Sequence, residues 1–325
     1  MSIRTVAKKL SDSNPVAHSV YLIAHRAKVH KMQRLDDSVY AKVYYKDKTG
    51  RELNIENPQT FDEKLWWLKL NYRNPLETVC SDKDKVRKYI KKCGLESILN
   101  EQYGVWTDAR KIDFNTLPSP CFLKCNHVSG TNVIYDAGKP FDHKRFVRTF
   151  NRSLKSNYYI QSREWNYKNI EPRIVSEKVL RDKEGNLPLD YKFLCFHGIP
   201  KLMMYDVSVC NEDGSHKPTA QRCVYDAEMN LLPEVKITRE RHHEKLKITK
   251  EEFDEMKRYA AILSKPFPHV RVDFYCVDGK IYFGEMTFYH MGACNKIEPT
   301  GFAKQMGSWI DLDRVKEEIK DKEYR

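Results

Sequence analysis

Arg271, Asp273 and Glu285 stand inside the otherwise apolar run RVDFYCVDGKIYFGEMTF, residues 271–288, where Val, Phe, Ile and Tyr would fill buried sheet positions. Buried charge without a partner is costly, so these three side chains must be compensated. Two carboxylates on one sheet face suit a hard divalent cation such as Mg2+, which takes oxygen ligands from one or two carboxylates and from substrate phosphates. The other reading is an ion cluster, with Arg271 neutralising both acids on an exposed sheet face.

Strand parity decides whether the carboxylates meet. Arg271, Asp273 and Tyr275 share one face of the first strand, and Val270, Val272, Phe274 and Cys276 share the other. A two-residue turn at Asp278-Gly279 pairs Asp273 with Gly284 and sends Glu285 to the opposite face. A three-residue loop, Val277-Asp278-Gly279, instead sets Arg271 opposite Glu285, with Asp273 on the diagonal at about 7 to 8 Å between Cα atoms. Convergence of the acids, with Thr287 beside them, therefore requires an odd loop or a bulge.

Other strands break the apolar pattern in the same way. Lys124 interrupts CFLKC and is followed by Asn126, His127, Ser129, Gly130 and Thr131, a lysine beside a small-residue turn that can reach phosphate. Glu177 and Lys178 end the strand-like PRIVSEKVL, where carboxylate and backbone could meet a base and ribose. Asp190 and Lys192 open DYKFLCF. Four such violations in successive strands point to one site.

These side chains need elements to hold them. A basic amphipathic helix is expected over residues 16–33. Thr60 and Glu63 form a capping box for TFDEKLWWLKL, and a helix from Ser81 to Lys92 is closed by Gly94. After Pro118 and Pro120 strands dominate: CFLKCN, PRIVSEKVL, and the hairpin DYKFLCF–HG–PKLMMYDV. Thr249 and Glu252 cap a further helix with Phe253, Met256, Ala260 and Leu263 on one face. Helices first, then strands mixed with helices, argue for an α+β fold with largely antiparallel sheets.

At 325 residues, 41% hydrophobic and 12% aromatic, the chain is folded and long enough for about two domains. It has neither an apolar run of membrane-spanning length nor an apolar stretch near its N-terminus, so a cytoplasmic protein is expected. The nine cysteines read as free thiols of a reducing compartment, and the Cys121/Cys125 pair as structural. The net charge of +12 implies an anionic partner: a phosphate-bearing substrate, a nucleic acid, or an anionic membrane surface contacted peripherally. Residues 144–181 interleave basic side chains with Tyr158, Tyr159, Trp165 and Tyr167, but no nucleic-acid-binding motif accompanies them, so no nucleic acid is expected. His25, His30 and the run RERHH, residues 239–243, are candidate substrate contacts or a solvated face.

The motif order, strand lysine with a phosphate turn, Glu-Lys-x-Leu, R-x-D and E-x-T, resembles the ATP-grasp superfamily. TFDEKLWWLKLNYRNPL, GVW, FLKCNHVSG, REWNYKN, PRIVSEKVL, DYKFLCFHG and FPHVRVDFY…GKIYFGEMTF resemble its teichuronopeptide-biosynthesis, TupA-like branch over about residues 40–310. The resemblance implies an ATP-grasp fold of two α+β subdomains clamping ATP behind a mostly helical N-terminal substrate domain. The expected bounds are 1–115 for the substrate domain, 116–182 for a lid with phosphate loop and adenine hinge, and 183–325 for the C-terminal subdomain with the metal site.

By the same resemblance Lys124 binds phosphates and His127, Ser129, Gly130 and Thr131 form the phosphate loop. Glu177 with the backbone of Lys178, Val179 and Leu180 holds the adenine, and Asp190 and Lys192 reach ribose or phosphate. Asp273, Glu285 and Thr287 hold Mg2+, and Arg271 and Lys124 act on the transferred phosphoryl group. Two departures stand out: Thr287 occupies a position where many of these enzymes have Asn, and Val128 one where a second Gly is usual. The activity implied is a Mg-ATP-dependent carboxylate-amine ligase working through an acyl phosphate, joining an amine donor such as an amino acid to a uronic acid or other anionic small-molecule or glycan carboxylate in cell-surface polysaccharide biosynthesis. The alternatives are an ATP-dependent phosphotransferase on a sugar and a glycosyltransferase. The REWNYKN signature, with Arg163, Glu164 and Lys168, has no role that its sequence assigns.

Overall fold

A computed structural model of the chain describes residues 34–207 and 219–322. The basic helix expected over 16–33 lies outside them. Helix α1 (Asp37–Thr49) starts where the Asp36 side chain accepts from the Ser38 N–H. Helix α2 (Phe61–Asn71) carries the expected capping box, with Thr60 N–H donating to Glu63 at 2.8 Å and Glu63 N–H to the Thr60 hydroxyl at 3.4 Å. Such a box satisfies two of the amides that a helix start leaves open.

The helix expected from Ser81 to Lys92 is two helices, α3 (Pro75–Ser81) and α4 (Val86–Lys92). The break is local chemistry: Asp82 accepts from the Asp84 and Lys85 N–H groups at 2.9 and 3.3 Å, offering the backbone an alternative to continuing α3. Lys83, inside this break, gives its N–H to the Asn126 carbonyl at 3.4 Å.

Four antiparallel strands, β1 (Gln102–Trp106), β2 (Cys121–Cys125), β3 (Asn132–Tyr135) and β4 (Ile174–Lys178), form one sheet in the order β1-β4-β2-β3. Cys121, Leu123, Cys125 and Ile174 pack beneath it with Phe146 and Phe150 of α5 (His143–Ser153). The alternate residues Phe122 and Lys124 are left on the other face. A short helix, α6 (Tyr158–Ser162), and a single 3-10 turn at Trp165–Tyr167 lead from α5 toward β4.

The second sheet has six strands: β5 (Asp190–Phe196), β6 (Ile199–Val207), β7 (Gln221–Asp226), β9 (Glu240–Arg241), β10 (His269–Val277) and β11 (Lys280–Thr287), ordered β11-β10-β5-β6-β7-β9. β8 (Lys236–Ile237) and β12 (Ile297–Glu298) pair separately. Helix α7 (Lys250–Ser264) lies on one face, where its Phe253, Met256, Ala260 and Leu263 are buried as their spacing predicts. Helices α8 (Thr300–Ser308) and α9 (Leu312–Lys322) follow, α8 packing on α2. One large core thus joins the six-stranded sheet to the N-terminal helices, and a smaller one underlies the four-stranded sheet.

In the β10–β11 hairpin the expected three-residue loop is absent. Asp278 and Gly279 form a two-residue turn with φ of 50° and 82°, and Val277 pairs with Lys280. Both central residues are left-handed, as the hairpin turn that matches strand twist demands. Register is shifted instead by a bulge at Gly284: Phe274 pairs with Phe283, but Asp273 pairs with Glu285. Asp273 therefore lies directly opposite Glu285 rather than diagonal to it, and Arg271 faces Thr287. The carboxylates share a face by the second of the two routes that parity allowed.

Among the described residues no helix is long and apolar enough to cross a membrane, and the cysteines there are free thiols.

Candidate active site

Cross-strand register turns the face of the large sheet away from α7 into rows of charge. Glu285, Asp273 and Lys192 lie side by side on β11, β10 and β5, and the neighbouring row runs Asp190, Asp206, Arg222 across β5, β6 and β7. Arg271 forks onto Asp273, Nε to Oδ1 and Nη2 to Oδ2 at 2.6 Å each, and the same Nη2 reaches Glu285 Oε1 at 2.7 Å. Lys192 spans Asp190 at 2.8 Å and Asp273 at 3.0 Å. Thr287 donates its hydroxyl to Glu285 at 2.9 Å. Arg222 is bidentate on Asp206 at 2.5 and 2.7 Å, with Arg239 at 3.5 Å. Four acids and four bases balance, which is the condition under which so much charge can be buried.

The balance fixes protonation. Burial would raise the Glu285 carboxyl, but Arg271, then Lys83 and Lys192, hold it down at about 2. Burial opposes the charge on Asp206 too, yet Arg222 keeps that carboxyl at about 2. Burial would lower the Lys192 ammonium, and Asp190 and Asp273 outweigh it, leaving it above the ordinary lysine value. His290 is pushed well below the usual histidine range by burial and by Arg271 and Arg222, so its ring is neutral. A neutral ring has one lone pair. The 2.7 Å contact from Arg271 to Nδ1 uses it, so Nε2 carries the proton and opposes Arg222 at 3.3 Å. Contact with the lone pair steers Arg271 toward the carboxylates.

Facing these rows, the small sheet presents Lys124, whose ammonium pairs with Glu177 at 2.7 Å across a β2–β4 diagonal. Lys83 reaches the same gap from the α3–α4 break and donates to the Val128 carbonyl at 3.0 Å. Burial lowers its pKa, against the opposing pull of the Glu285 carboxylate. Lys83, Arg87, Asn100, Lys124, Tyr167 and Glu285 line one cleft between the two sheets. Positive charge on one wall and carboxylates on the other is an arrangement that can hold a polyphosphate and its counter-ion.

A family model described as TupA-like ATPgrasp matches residues 63–311. The chain belongs to the TupA-like ATP-grasp family. Its α+β architecture is the ATP-grasp fold. It is similar to a D-alanine–D-alanine ligase from Bacillus anthracis solved with ATP, at 14% identity and a TM-score of 0.43 over 74% of this chain and 68% of that one. An L-amino acid ligase from Bacillus licheniformis matches at 14% identity and a TM-score of 0.43, over 77% and 55% of the two chains. A D-alanine–D-alanine ligase from Coxiella burnetii matches at 14% and 0.43 over 80% and 66%. No curated protein matches the sequence.

Within this TupA-like chain most of the residues expected at the site do converge. Arg271, Asp273, Glu285, Thr287, Asp190 and Lys192 form one network, and Lys124 and Glu177 face it. The loop expected at the phosphates divides into anchors and a tip. His127 is buried, its Nε2 on the Ser153 carbonyl at 3.1 Å and Nδ1 by Asn126 at 3.2 Å, and Thr131 meets the Ser153 hydroxyl at 2.9 Å. These two anchor the loop, while Ser129 and Gly130 are its exposed tip. Lys178 commits its N–H to the Glu101 carbonyl and its carbonyl to the Asn100 side chain. Lys83, His290 and the Asp206–Arg222 pair escaped the sequence reading. Only His290 had a signal, its place three residues beyond E-x-T.

Two carboxylates and a hydroxyl are hard donors suited to Mg2+. Among the described residues no group of three or more His, Cys, Asp or Glu side chains could hold a metal alone. The donor set fits an ion whose shell is completed by phosphate oxygens and water, and Glu285, 43% exposed, opens toward the cleft.

A further buried acid, Glu77 of α3, accepts from the Tyr289 hydroxyl at 3.3 Å. Burial pushes its carboxyl from 4.5 up to about 8. Between those values the folded state holds a proton that the unfolded state has lost, so stability falls as pH rises through the window. Glu77→Gln removes that titration. The melting temperature of wild type is expected to drop relative to the variant from pH 5 to pH 8, and a pH-independent difference would show that Glu77 is ionised.

Proposed function

We propose that this TupA-like chain is a Mg-ATP-dependent carboxylate-amine ligase that activates its acid as an acyl phosphate, attaching an amino acid or other amine to a uronic acid or similar anionic carboxylate of a cell-surface polysaccharide. What supports the reading is the opposition of Lys83 and Lys124, on one wall of the cleft, to Glu285 on the other, with Asp273 paired to Glu285 across the hairpin and Arg271 bridging the two acids behind it. Lys83 and Lys124 would hold the ATP phosphates, Lys124 leaving Glu177 to do so and freeing that carboxylate for the nucleoside. Asp273, Glu285 and Thr287 would hold Mg2+, which when bound withdraws charge from the phosphoryl oxygens. Arg271, already oriented by His290, would offset the charge that develops as the substrate carboxylate attacks the γ phosphorus. An amine then displaces phosphate from the acyl carbon.

The test is ADP release by the purified chain with Mg-ATP and a panel of uronic acids, each with and without amino acids. Release that needs both an acid and an amine, with an amide as product, is the expected result. Release with a sugar alone, yielding a stable phosphate ester, would replace the ligase by a phosphotransferase. Lack of release with every acid would overturn the reading.

A further inference from the structure

The charge on the large sheet balances as a whole but is unevenly placed. At the metal end three acids, Asp190, Asp273 and Glu285, stand against two bases, Lys192 and Arg271. At the far end one acid, Asp206, faces two, Arg222 and Arg239. The metal end therefore carries an excess of one negative charge, and the far end an excess of one positive charge. A single carboxylate does not satisfy both guanidinium groups. Arg222 takes Asp206 with a bidentate contact, and Arg239 is left at 3.5 Å, beyond ordinary hydrogen-bond length. The Nη1 of Arg239 is buried and makes no hydrogen bond, while the side chain as a whole is 26% exposed. It is the accessible member of the pair, since Arg222 is buried.

Backbone strain holds Arg239 in this place. Thr238, the residue before it, has φ of 66°, a conformation that a β-branched residue adopts only where its surroundings impose it. Here they do. The Thr238 N–H donates to the Lys296 carbonyl at 2.7 Å, its hydroxyl donates to Asn295 Oδ1 at 3.3 Å, and Arg222 donates to the Ile237 carbonyl at 3.0 Å. Asn295 and Lys296 follow the turn His290–Ala293, in which Met291 and Ala293 are left-handed as well, φ 51° and 61°. His290, which opens that turn, touches both Arg271 and Arg222. Two strained segments thus meet beside the rows of charge, and strain of this kind gathers at ligand-binding sites. Within the run RERHH, Arg239 is the residue that reaches the sheet face: Glu240 and Arg241 are exposed, and His242 meets Glu244 at 3.2 Å.

We propose that Arg239 binds a carboxylate that the reaction leaves intact, carried either by the amine substrate or by the acid. The inference rests on the ligase reading. Asp206 pairs with Asp190 across β5 and β6, and Lys192 joins Asp190 to Asp273. The guanidinium beside Asp206 therefore stands about 10 Å, two strand spacings, from the metal end. ATP lies toward the small sheet and β11, where Lys83, Lys124 and Glu285 line the cleft. The bodies of the other substrates then extend the opposite way, over β5, β6 and β7, which brings them to Arg239. A guanidinium fork matches the two oxygens of a carboxylate. Because Arg222 already neutralises Asp206, the fork of Arg239 is available for one.

The test is steady-state ADP release with Mg-ATP by wild type, Arg239→Gln and Arg239→Lys. In one arm the amine is an amino acid or its amide, with the uronic acid fixed. In the other the acid is a disaccharide of two uronic acids, or of one uronic acid and a neutral sugar, with the amino acid fixed. Wild type is expected to favour the partner with the extra carboxylate in one arm by about 10- to 100-fold in kcat/KM, the worth of a hydrogen bond to a charged group. The arm that shows the preference identifies the bearer. Arg239→Gln is expected to bring that ratio within about twofold of one through a higher KM, with partial recovery in Arg239→Lys. A ratio unchanged by the substitution, an equal fall with every pair, or a wild type without preference in either arm would overturn the proposal. No ADP release from wild type with any pair would overturn the ligase reading itself, and this site with it.

Discussion

Replacing Asp273 with Asn is expected to lower ATP turnover by about 100- to 1000-fold, the cost of removing one preorganised group from a charge-transfer site. Asp273 is 2% exposed and holds both ends of the Arg271 fork as well as Lys192. Asn keeps the shape but offers one carbonyl oxygen where two charged oxygens stood. Arg271 then retains Glu285 and His290, and Lys192 retains Asp190, so positive charge exceeds negative in a buried network. Breaking one partner of such a pair costs about 3–5 kcal/mol when nothing replaces it. A loss of activity could therefore come from unfolding. Glu285→Gln separates the two causes, because Glu285 is 43% exposed and its loss leaves Arg271 fully paired to Asp273. Melting within a few degrees of wild type, together with a weakened Mg2+ requirement curve and turnover lowered by at least tenfold, is expected for that variant. Turnover within twofold of wild type in both variants would remove the metal assignment.

The amount of this site that was legible in the sequence follows from which physics each residue obeys. Charges placed in apolar strands were visible because they interrupt runs of apolar residues; Lys192, Arg271, Asp273 and Glu285 form one network, and Lys124, Glu177 and Glu285 line one cleft. The capping boxes at Thr60 and Thr249 were visible because their chemistry is confined to four residues. Lys83 was hidden because its placement depends on Asp82 breaking a helix, and the sequence there reads equally well as one continuous helix. The anchoring of His127 was hidden because its partner, the Ser153 carbonyl at the end of α5, lies 26 residues away. Lys69 of α2, 1% exposed, was opaque for the same reason: the carbonyls it donates to, of Ser162 and Gly292, come from elsewhere in the chain. Local rules show where charge is unusual. Only the fold shows which charge answers it.

The hairpin gives the second large effect, and it separates register from the mere presence of glycine. A Cβ on Gly284 would lie 3.0 Å from the Asp273 carbonyl oxygen and 3.3 Å from Asp273 C and Cβ, so a side chain at the bulge crowds Asp273, whose backbone would have to give by a few tenths of an ångström. Gly284→Val must either push β10 back at Asp273 or dissolve the bulge. Without the bulge the two-residue turn fixes Asp273 opposite residue 284, and Glu285 is carried to the α7 side, against Val272 and into apolar packing. Both routes disperse the carboxylates. Overpacking of this kind costs about 1–3 kcal/mol, and turnover is expected to fall by at least about 100-fold. Deleting Gly284 makes the opposite case. Phe283 already pairs with Phe274 and Glu285 with Asp273, so removing the one unpaired residue leaves those pairings intact in a regular ladder. The deletion is therefore expected to be more active than Gly284→Val, despite being the larger change to the chain. Melting curves and ADP release measured side by side decide the matter. If the deletion is as inactive as the valine variant while remaining folded, the bulge contributes twist or access to the cleft rather than the parity that brings Asp273 and Glu285 together.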